Sequence, residues 1–103
     1  MIQNKKALSV ANTIAESLKP SKIILFGSQT NESPKPESDI DLLIVYDGDE
    51  SKKETLRRIH NLFPHPDFSL DVFLLRSDEF QKQIGLHGTV GREAHRSGVT
   101  IYG

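Results

Sequence analysis

Two aspartates, Asp39 and Asp41, begin an apolar segment of the chain, DIDLLIVY. Side chains alternate between the two faces of a β-strand, so these two carboxylates are predicted to leave the same face, close together. Neighbouring anions repel each other, and a cation between them removes that cost. Carboxylate oxygens suit Mg²⁺, which usually keeps waters and substrate phosphates as its other ligands. The pair is therefore predicted to hold a magnesium ion that accompanies a phosphorylated substrate.

A third aspartate, Asp71, interrupts the apolar segment FSLDVFLL. Burying an unpaired ionised carboxylate in such a strand would be costly, so its presence needs an explanation. One explanation is a second metal ion shared with Asp39 and Asp41, as in two-metal phosphoryl transfer. Asp71 is then predicted to ligate that ion and to accept the proton of an attacking hydroxyl. The alternative is a structural carboxylate paired within the fold.

The dipeptide Gly27-Ser28 directly follows the apolar segment KIILF, and ten residues lie between Ser28 and Asp39. Glycine lets the backbone approach a ligand closely. The backbone N–H groups and hydroxyl at Ser28 could bind phosphate oxygens, although such a dipeptide is often only a turn. Gly27, Ser28 and Ser38, which directly precedes Asp39, are the predicted nucleotide-binding residues.

Hydrophobic periodicity predicts the elements that position these residues. An apolar stripe of Ala7, Leu8, Ala11, Ile14, Ala15 and Leu18 predicts a helix over residues 3–19 that ends at Pro20. Ser51 is predicted to cap a helix that runs to about Phe63 and faces the core with Leu56, Ile59, Leu62 and Phe63. Ser77 is predicted to cap another helix, and a short helix is predicted around 92–96. Strands are predicted over 22–26, 39–46, 68–75 and 99–102. After its two aspartates, both faces of 39–46 are apolar, which predicts a central strand covered on both sides. The expected fold class is α/β (α+β), with a small sheet packed on helices.

Other residues are predicted to serve the structure. Asp47-Gly48-Asp49 is expected to be a turn. The four histidines show no metal-ligand spacing. Four phenylalanines are expected to be core residues: Phe63, Phe68, Phe73 and Phe80.

Composition limits the function further. The 103 residues predict one domain, 1–103. A formal net charge of -1 provides no basic field for a nucleic-acid partner. The absence of cysteine excludes disulfides, thiolate metal sites and cysteine nucleophiles. No apolar run approaches the roughly 20 residues that cross a bilayer, so no membrane association and a cytoplasmic location are expected.

The segments LFGSQTNESPKPESDIDLLIVY and LDVFLL resemble the minimal nucleotidyltransferases of the DNA polymerase β-like superfamily. These include small antitoxin-type (MNT-like) members that are paired with a helical HEPN-type toxin. The family signature is Gly-Ser, ten residues, Asp-x-Asp, and a later acidic residue on a strand. Gly27, Ser28, Asp39, Asp41 and Asp71 occupy those positions. The tail EAHRSGVTIYG also resembles the way in which many small members end.

The resemblance implies a single nucleotidyltransferase-fold domain with a small mixed sheet packed against helices. It implies transfer of a nucleoside monophosphate, such as AMP from ATP, to a hydroxyl, with two Mg²⁺ ions and release of pyrophosphate. In antitoxin-type members the acceptor can be a tyrosine hydroxyl on the toxin. The expected partners are accordingly a small HEPN-type protein or a second copy of the chain.

One segment departs from the family pattern. Small members often follow Gly-Ser with a basic stretch that contains arginine, whereas this chain has Gln29-Thr30-Asn31-Glu32. This departure favours an alternative, in which the fold is retained as a binding module that neutralises a partner by contact alone.

Overall fold

The computed structural model describes residues 5–26 and 39–103, apart from the side chain of Asp39. Within these ranges the longest helix has 14 residues, and no described helix is long and apolar enough to cross a membrane. The elements in chain order are α1 (Lys5–Leu18), β1 (Lys22–Phe26), β2 (Asp39–Val45), α2 (Lys52–Asn61), β3 (Ser69–Leu75), α3 (Ser77–Ile84), α4 (Val90–Ser97) and β4 (Val99–Tyr102).

The strands form one mixed sheet in the order β3-β2-β1-β4. Strand β1 is antiparallel to both β2 and β4. Strands β2 and β3 are parallel, which requires a crossover, and α2 supplies it. The predicted small α+β sheet and the central position of β2 are both confirmed.

One face of the sheet packs on α1 and α2, and we call it the α1/α2 face. The apolar stripe of α1 lies on this face as predicted, although Val10 is buried where Leu8 was expected. On the two central strands, the sheet residues of this face are 0% exposed: Ile23, Leu25, Ile40, Leu42 and Ile44. Residues of the edge strands on the same face are partly buried: Leu70, Val72, Leu74 and Ile101. The main core of the described chain is therefore here.

Helix α1 ends at Leu18, two residues before Pro20. Lys19 adopts a left-handed conformation, with φ 51°, and its N–H donates to the carbonyl of Ala15 at 2.8 Å. This is the bond that caps a helix C-terminus, with lysine in the place that glycine usually takes.

Helix α2 begins after Ser51, as predicted. The Ser51 hydroxyl accepts a hydrogen bond from the N–H of Glu54 at 3.1 Å. The Glu54 carboxylate does not return the bond, because it pairs with Arg57 at 2.6 Å. Thr55 and Ile59 are the buried residues of this helix, whereas Leu56 was expected in place of Thr55.

The opposite face packs on α3 and α4, and we call it the α3/α4 face. Its core contains Ile24, Phe26, Leu43, Val45 and Leu75 from the sheet, with Phe80 and Ala94 from the helices. Phe80 is buried as predicted, and Phe63 and Phe68 are half-buried. The prediction for Phe73 is wrong, since its side chain is 39% exposed. Strand β3 is at the sheet edge, so helices cover it only in part.

The start of α3 also differs from the prediction. The residue that caps the helix is Arg76, whose N–H donates to the Glu79 carboxylate at 2.9 Å. Ser77 is the first helical residue instead, and its N–H donates to Asp47 at 2.9 Å. If Ser77 were the cap, the first helical residue would be Asp78. The helix begins one residue earlier because the Ser77 side chain bonds to Asp47 and does not cap the helix.

Candidate functional site

Three residues on three neighbouring strands form a row across the α3/α4 face. Phe26 on β1 pairs with Asp41 on β2, and Asp41 pairs with Asp71 on β3. Paired residues point to the same side of a sheet, and strands lie about 4.8 Å apart, so the row spans about 10 Å. The register thus brings together two of the three aspartates that the sequence singled out.

The two carboxylates differ in exposure. Asp41 is partly buried and Asp71 is exposed. The expected burial of Asp71 is therefore wrong, because β3 is an edge strand and α3 and α4 leave this end of it open. The two carboxylates are like charges on directly paired residues, and such charges repel each other.

The other predicted site residues are described only in part. The backbone of Asp39 pairs with Ser69, next to the pairing of Asp41 with Asp71. Its side chain, and all of Gly27, Ser28 and Ser38, lie outside the described residues. Their predicted roles in metal and nucleotide binding stay predictions.

The donor chemistry of the row fits magnesium. Mg²⁺ is typically held by one or two carboxylates together with substrate phosphates, and Asp41 and Asp71 supply two carboxylates on one open face. Within the described ranges, no group of three or more His, Asp or Glu residues could hold a metal by itself. Asp39, whose side chain is not described, is the third ligand that the sequence predicts.

Carboxylates beyond the other end of β2 serve the fold. The pKa of Asp47 is lowered, first by the hydrogen bond from the Ser77 hydroxyl and then by the Ser77 N–H. The pKa of Glu79 is lowered mainly by its hydrogen bond from Lys52, which lies 2.7 Å away. These contacts join the loop after β2, and helix α2, to the start of α3. The segment 47–49, which was predicted to be a turn, therefore also connects the end of β2 to the start of α3.

A cavity of about 320 Å³ lies beside the Phe26 end of the row. Its lining includes Phe26, Arg92 and Arg96, together with Glu93 and His87. The sequence interpretation did not single out these arginines. Residues four apart on a helix share a face, so the sequence does predict that the two arginines lie on the same side of a helix. Only the fold shows that this side lies beside Phe26.

All four histidines are exposed. The ring of His95 meets the edge of Phe80 with centroids 6.2 Å apart. No described histidine belongs to a metal-binding cluster.

The chain is similar to one known family. A family model described as polymerase beta, nucleotidyltransferase matches residues 9–95. Among curated proteins, none matches the chain at a significant level. The matched range runs from α1 into α4, so it contains the row of Phe26, Asp41 and Asp71 and the first residues of α4.

Proposed function

The chain belongs to the polymerase beta nucleotidyltransferase family, and on that premise we propose that it transfers a nucleoside monophosphate from a triphosphate to a hydroxyl. The observation that carries the proposal is the register that sets Asp41 opposite Asp71 on an open sheet face. Two like charges on paired strand residues repel each other. They are useful where a metal ion that carries a phosphorylated ligand must be held.

In the proposed reaction, the acceptor hydroxyl oxygen forms a bond to the α-phosphorus of the triphosphate. The bond from that phosphorus to the bridging oxygen breaks, and pyrophosphate leaves with the bonding electrons. Asp71 accepts the hydroxyl proton as general base. Its exposure suits this role, because both the acceptor and solvent can reach the carboxylate.

Asp39, Asp41 and Asp71 would hold the two magnesium ions. When bound, these ions would supply positive charge that neutralises the phosphate oxygens and lowers the barrier to attack. Asp41 has the central place, since its backbone lies between Phe26 on one side and Asp71 on the other. We propose that it orients the triphosphate relative to the general base.

We further propose that the donor is ATP and that the acceptor belongs to a partner protein. The support is the resemblance to antitoxin-type members, together with the open face at Asp71. The described helices leave the acceptor side of this carboxylate uncovered, so a second chain could complete the site. The proposed setting is a toxin–antitoxin pair in which a small helical HEPN-type toxin is modified. A second copy of this chain is the other candidate for the completing partner.

The transfer proposal is tested with ATP labelled at the α-phosphate, Mg²⁺, and the protein encoded by the neighbouring gene as the candidate acceptor. We expect label on that protein and at least about a hundredfold loss in Asp41→Asn and Asp71→Asn. Even supporting groups of metal sites contribute 10–100-fold. Asp49→Asn is the matched control, because Asp49 is an exposed carboxylate after the same strand. Full labelling by the Asp41→Asn variant would contradict the proposal.

The requirement for a partner has its own test. If the purified chain efficiently adenylylates a free small-molecule hydroxyl without any second protein, the partner acceptor is wrong, although the transfer chemistry stands.

A binding module without catalysis is the second candidate, favoured by Gln29-Thr30-Asn31-Glu32 in place of a basic stretch. The same variants separate the two functions. Neutralisation of the toxin that survives in Asp41→Asn and Asp71→Asn, with no label transferred by the parent, supports contact alone.

A further inference from the structure

Among the described residues that line the cavity beside Phe26, positive charges outnumber negative ones. Arg92 and Arg96 both line it and lie one helical turn apart on α4. Like charges at this spacing destabilise a helix slightly, unless an anion lies between them. Glu93 also lines the cavity, but its carboxylate accepts a hydrogen bond from the Ser97 hydroxyl at 2.7 Å. Among the described residues, neither arginine forms an ion pair.

Arg92 is held in place while part of its hydrogen-bonding capacity is unused. Its Nη1 donates to the carbonyl of Ile84 at 2.9 Å, which anchors the guanidinium. Its Nε is buried and has no hydrogen-bond partner among the described residues. A buried donor without a partner is unfavourable and rare, and other parts of the Arg92 side chain are available because the residue lines the cavity. An anion that enters the cavity could satisfy this guanidinium.

The backbone around Arg92 is rigid. The Thr89 hydroxyl caps α4 by accepting from the N–H of Arg92 at 3.2 Å. The N–H of Gly91 donates to the Gln83 side chain at 2.7 Å, and a Cβ at Gly91 would lie only 2.6 Å from the Cβ of Gln83. The corner between α3 and α4 therefore presents Arg92 in one orientation, which lowers the entropy lost when a ligand binds.

The cavity lies at the end of the row opposite Asp71. The row runs from Asp71 through Asp41 to Phe26, and Phe26 is part of the cavity wall. In phosphoryl transfer, the attacking and leaving oxygens lie on opposite sides of the phosphorus. If Asp71 marks the side of the attacking hydroxyl, the leaving pyrophosphate points towards the cavity.

We propose that Arg92 and Arg96 form a subsite for the terminal phosphates of the triphosphate, which become the leaving pyrophosphate. The proposal rests on the proposed function for the direction of the reaction. Guanidinium groups are suited to this task, because their planar donors match phosphate oxygens and stay charged. The start of α4 at the same cavity adds the partial positive charge of a helix N-terminus.

The test is calorimetric binding of inorganic tripolyphosphate, and separately of ATP, to the full chain with Mg²⁺ present. We expect Arg92→Gln to weaken tripolyphosphate binding about tenfold, since a charged hydrogen bond is lost from a buried site. Arg96→Gln should weaken it about threefold, because Arg96 is exposed and solvent screens its charge. Both losses should appear for ATP as well.

Arg57→Gln is the matched control. Arg57 is an exposed arginine on α2, on the opposite side of the sheet, paired with Glu54. The control removes the same charge and should keep the parent affinity within about twofold, as expected for an exposed, screened charge. If Arg92→Gln does not fold, as judged by circular dichroism, the Arg96→Gln result decides alone.

The outcomes separate this proposal from the proposed function. Failure of the parent to bind tripolyphosphate, or Arg96→Gln binding as tightly as Arg57→Gln, would overturn the subsite even if label transfer proceeds. Conversely, arginine-dependent binding of tripolyphosphate by a chain that transfers no label would support the subsite and remove the catalytic function.

Discussion

The two faces of the sheet differ in what covers them. On the α1/α2 face, the core residues of β1 and β2 are apolar and 0% exposed. On the α3/α4 face, the core ends part of the way along the strands, and a row with two aspartates and a basic cavity follows. Both faces contribute a hydrophobic core, and the α3/α4 face carries charged residues beyond the end of its core.

The central strand β2 serves both faces at once. Leu42 points into the α1/α2 core, while its neighbour Asp41 belongs to the opposite face. Since side chains alternate along a strand, one segment can supply core and site without compromise. The comparison predicts that substitutions on neighbouring residues of β2 will have opposite consequences for stability.

The largest effect is expected from Leu42→Ala. The substitution should lower the free energy of unfolding by about 2–5 kcal/mol, because it leaves a cavity in a core with no exposed side chain. Phe73→Ala, on the other face, should cost only about 1 kcal/mol, since much of its ring is already in water. Urea unfolding measures both. Equal losses would show that the two faces contribute alike.

A second substitution tests how α4 connects to the sheet. A Cβ at Gly98 would lie 2.5 Å from the Ala94 carbonyl oxygen and 2.5 Å from Cγ2 of Ile24. Gly98→Ala should therefore lower stability by about 1–3 kcal/mol, as overpacking does. Gly85→Ala is the control, because its nearest contact would be 4.0 Å away. Thermal unfolding should show a lower Tm for the first variant only, and matching Tm values would refute the steric argument.

A substitution in the aspartate row should change the free energy of unfolding in the opposite direction, towards higher stability. Without metal, Asp71→Asn is expected to raise the free energy of unfolding by about 0.2–1 kcal/mol, because it removes a like charge opposite Asp41. Added Mg²⁺ should raise the Tm of the parent more than that of the variant, by preferential binding to the folded state. A clear loss of metal-free stability in Asp71→Asn would instead mark Asp71 as structural.

The smallest effect concerns a carboxylate that serves the fold. Hydrogen bonds from Ser77 lower the pKa of Asp47 below its ordinary 3.8. A group with a lowered folded-state pKa stabilises the protein above its unfolded pKa, and this stabilisation is lost as the pH falls through the folded-state pKa. The urea midpoint of the parent should therefore exceed that of Asp47→Asn at pH 6. The difference should shrink at pH 3, and a difference that stays constant with pH would contradict this role.

Much of the local structure could be predicted from the sequence. The bounds of β1 and β4 agree with the prediction, and those of β2 and β3 differ by one residue. Ser51 caps α2 as expected. These features depend on hydrophobic periodicity, capping chemistry and breakers, all of which act within a few residues of the chain. The spacing of Gly-Ser and Asp-x-Asp likewise identified the family without any coordinates.

Tertiary structure alone decided which side chains meet. Asp41 and Asp71 are 30 positions apart, and only the parallel pairing of β2 with β3 sets them opposite each other. The exposure of Asp71 and Phe73 follows from the edge position of β3, which no local pattern encodes. Arg92 and Arg96 became candidates because α4 packs against β1 beside Phe26. Strand order and helix docking depend on contacts between distant segments, so short-range sequence patterns do not determine them.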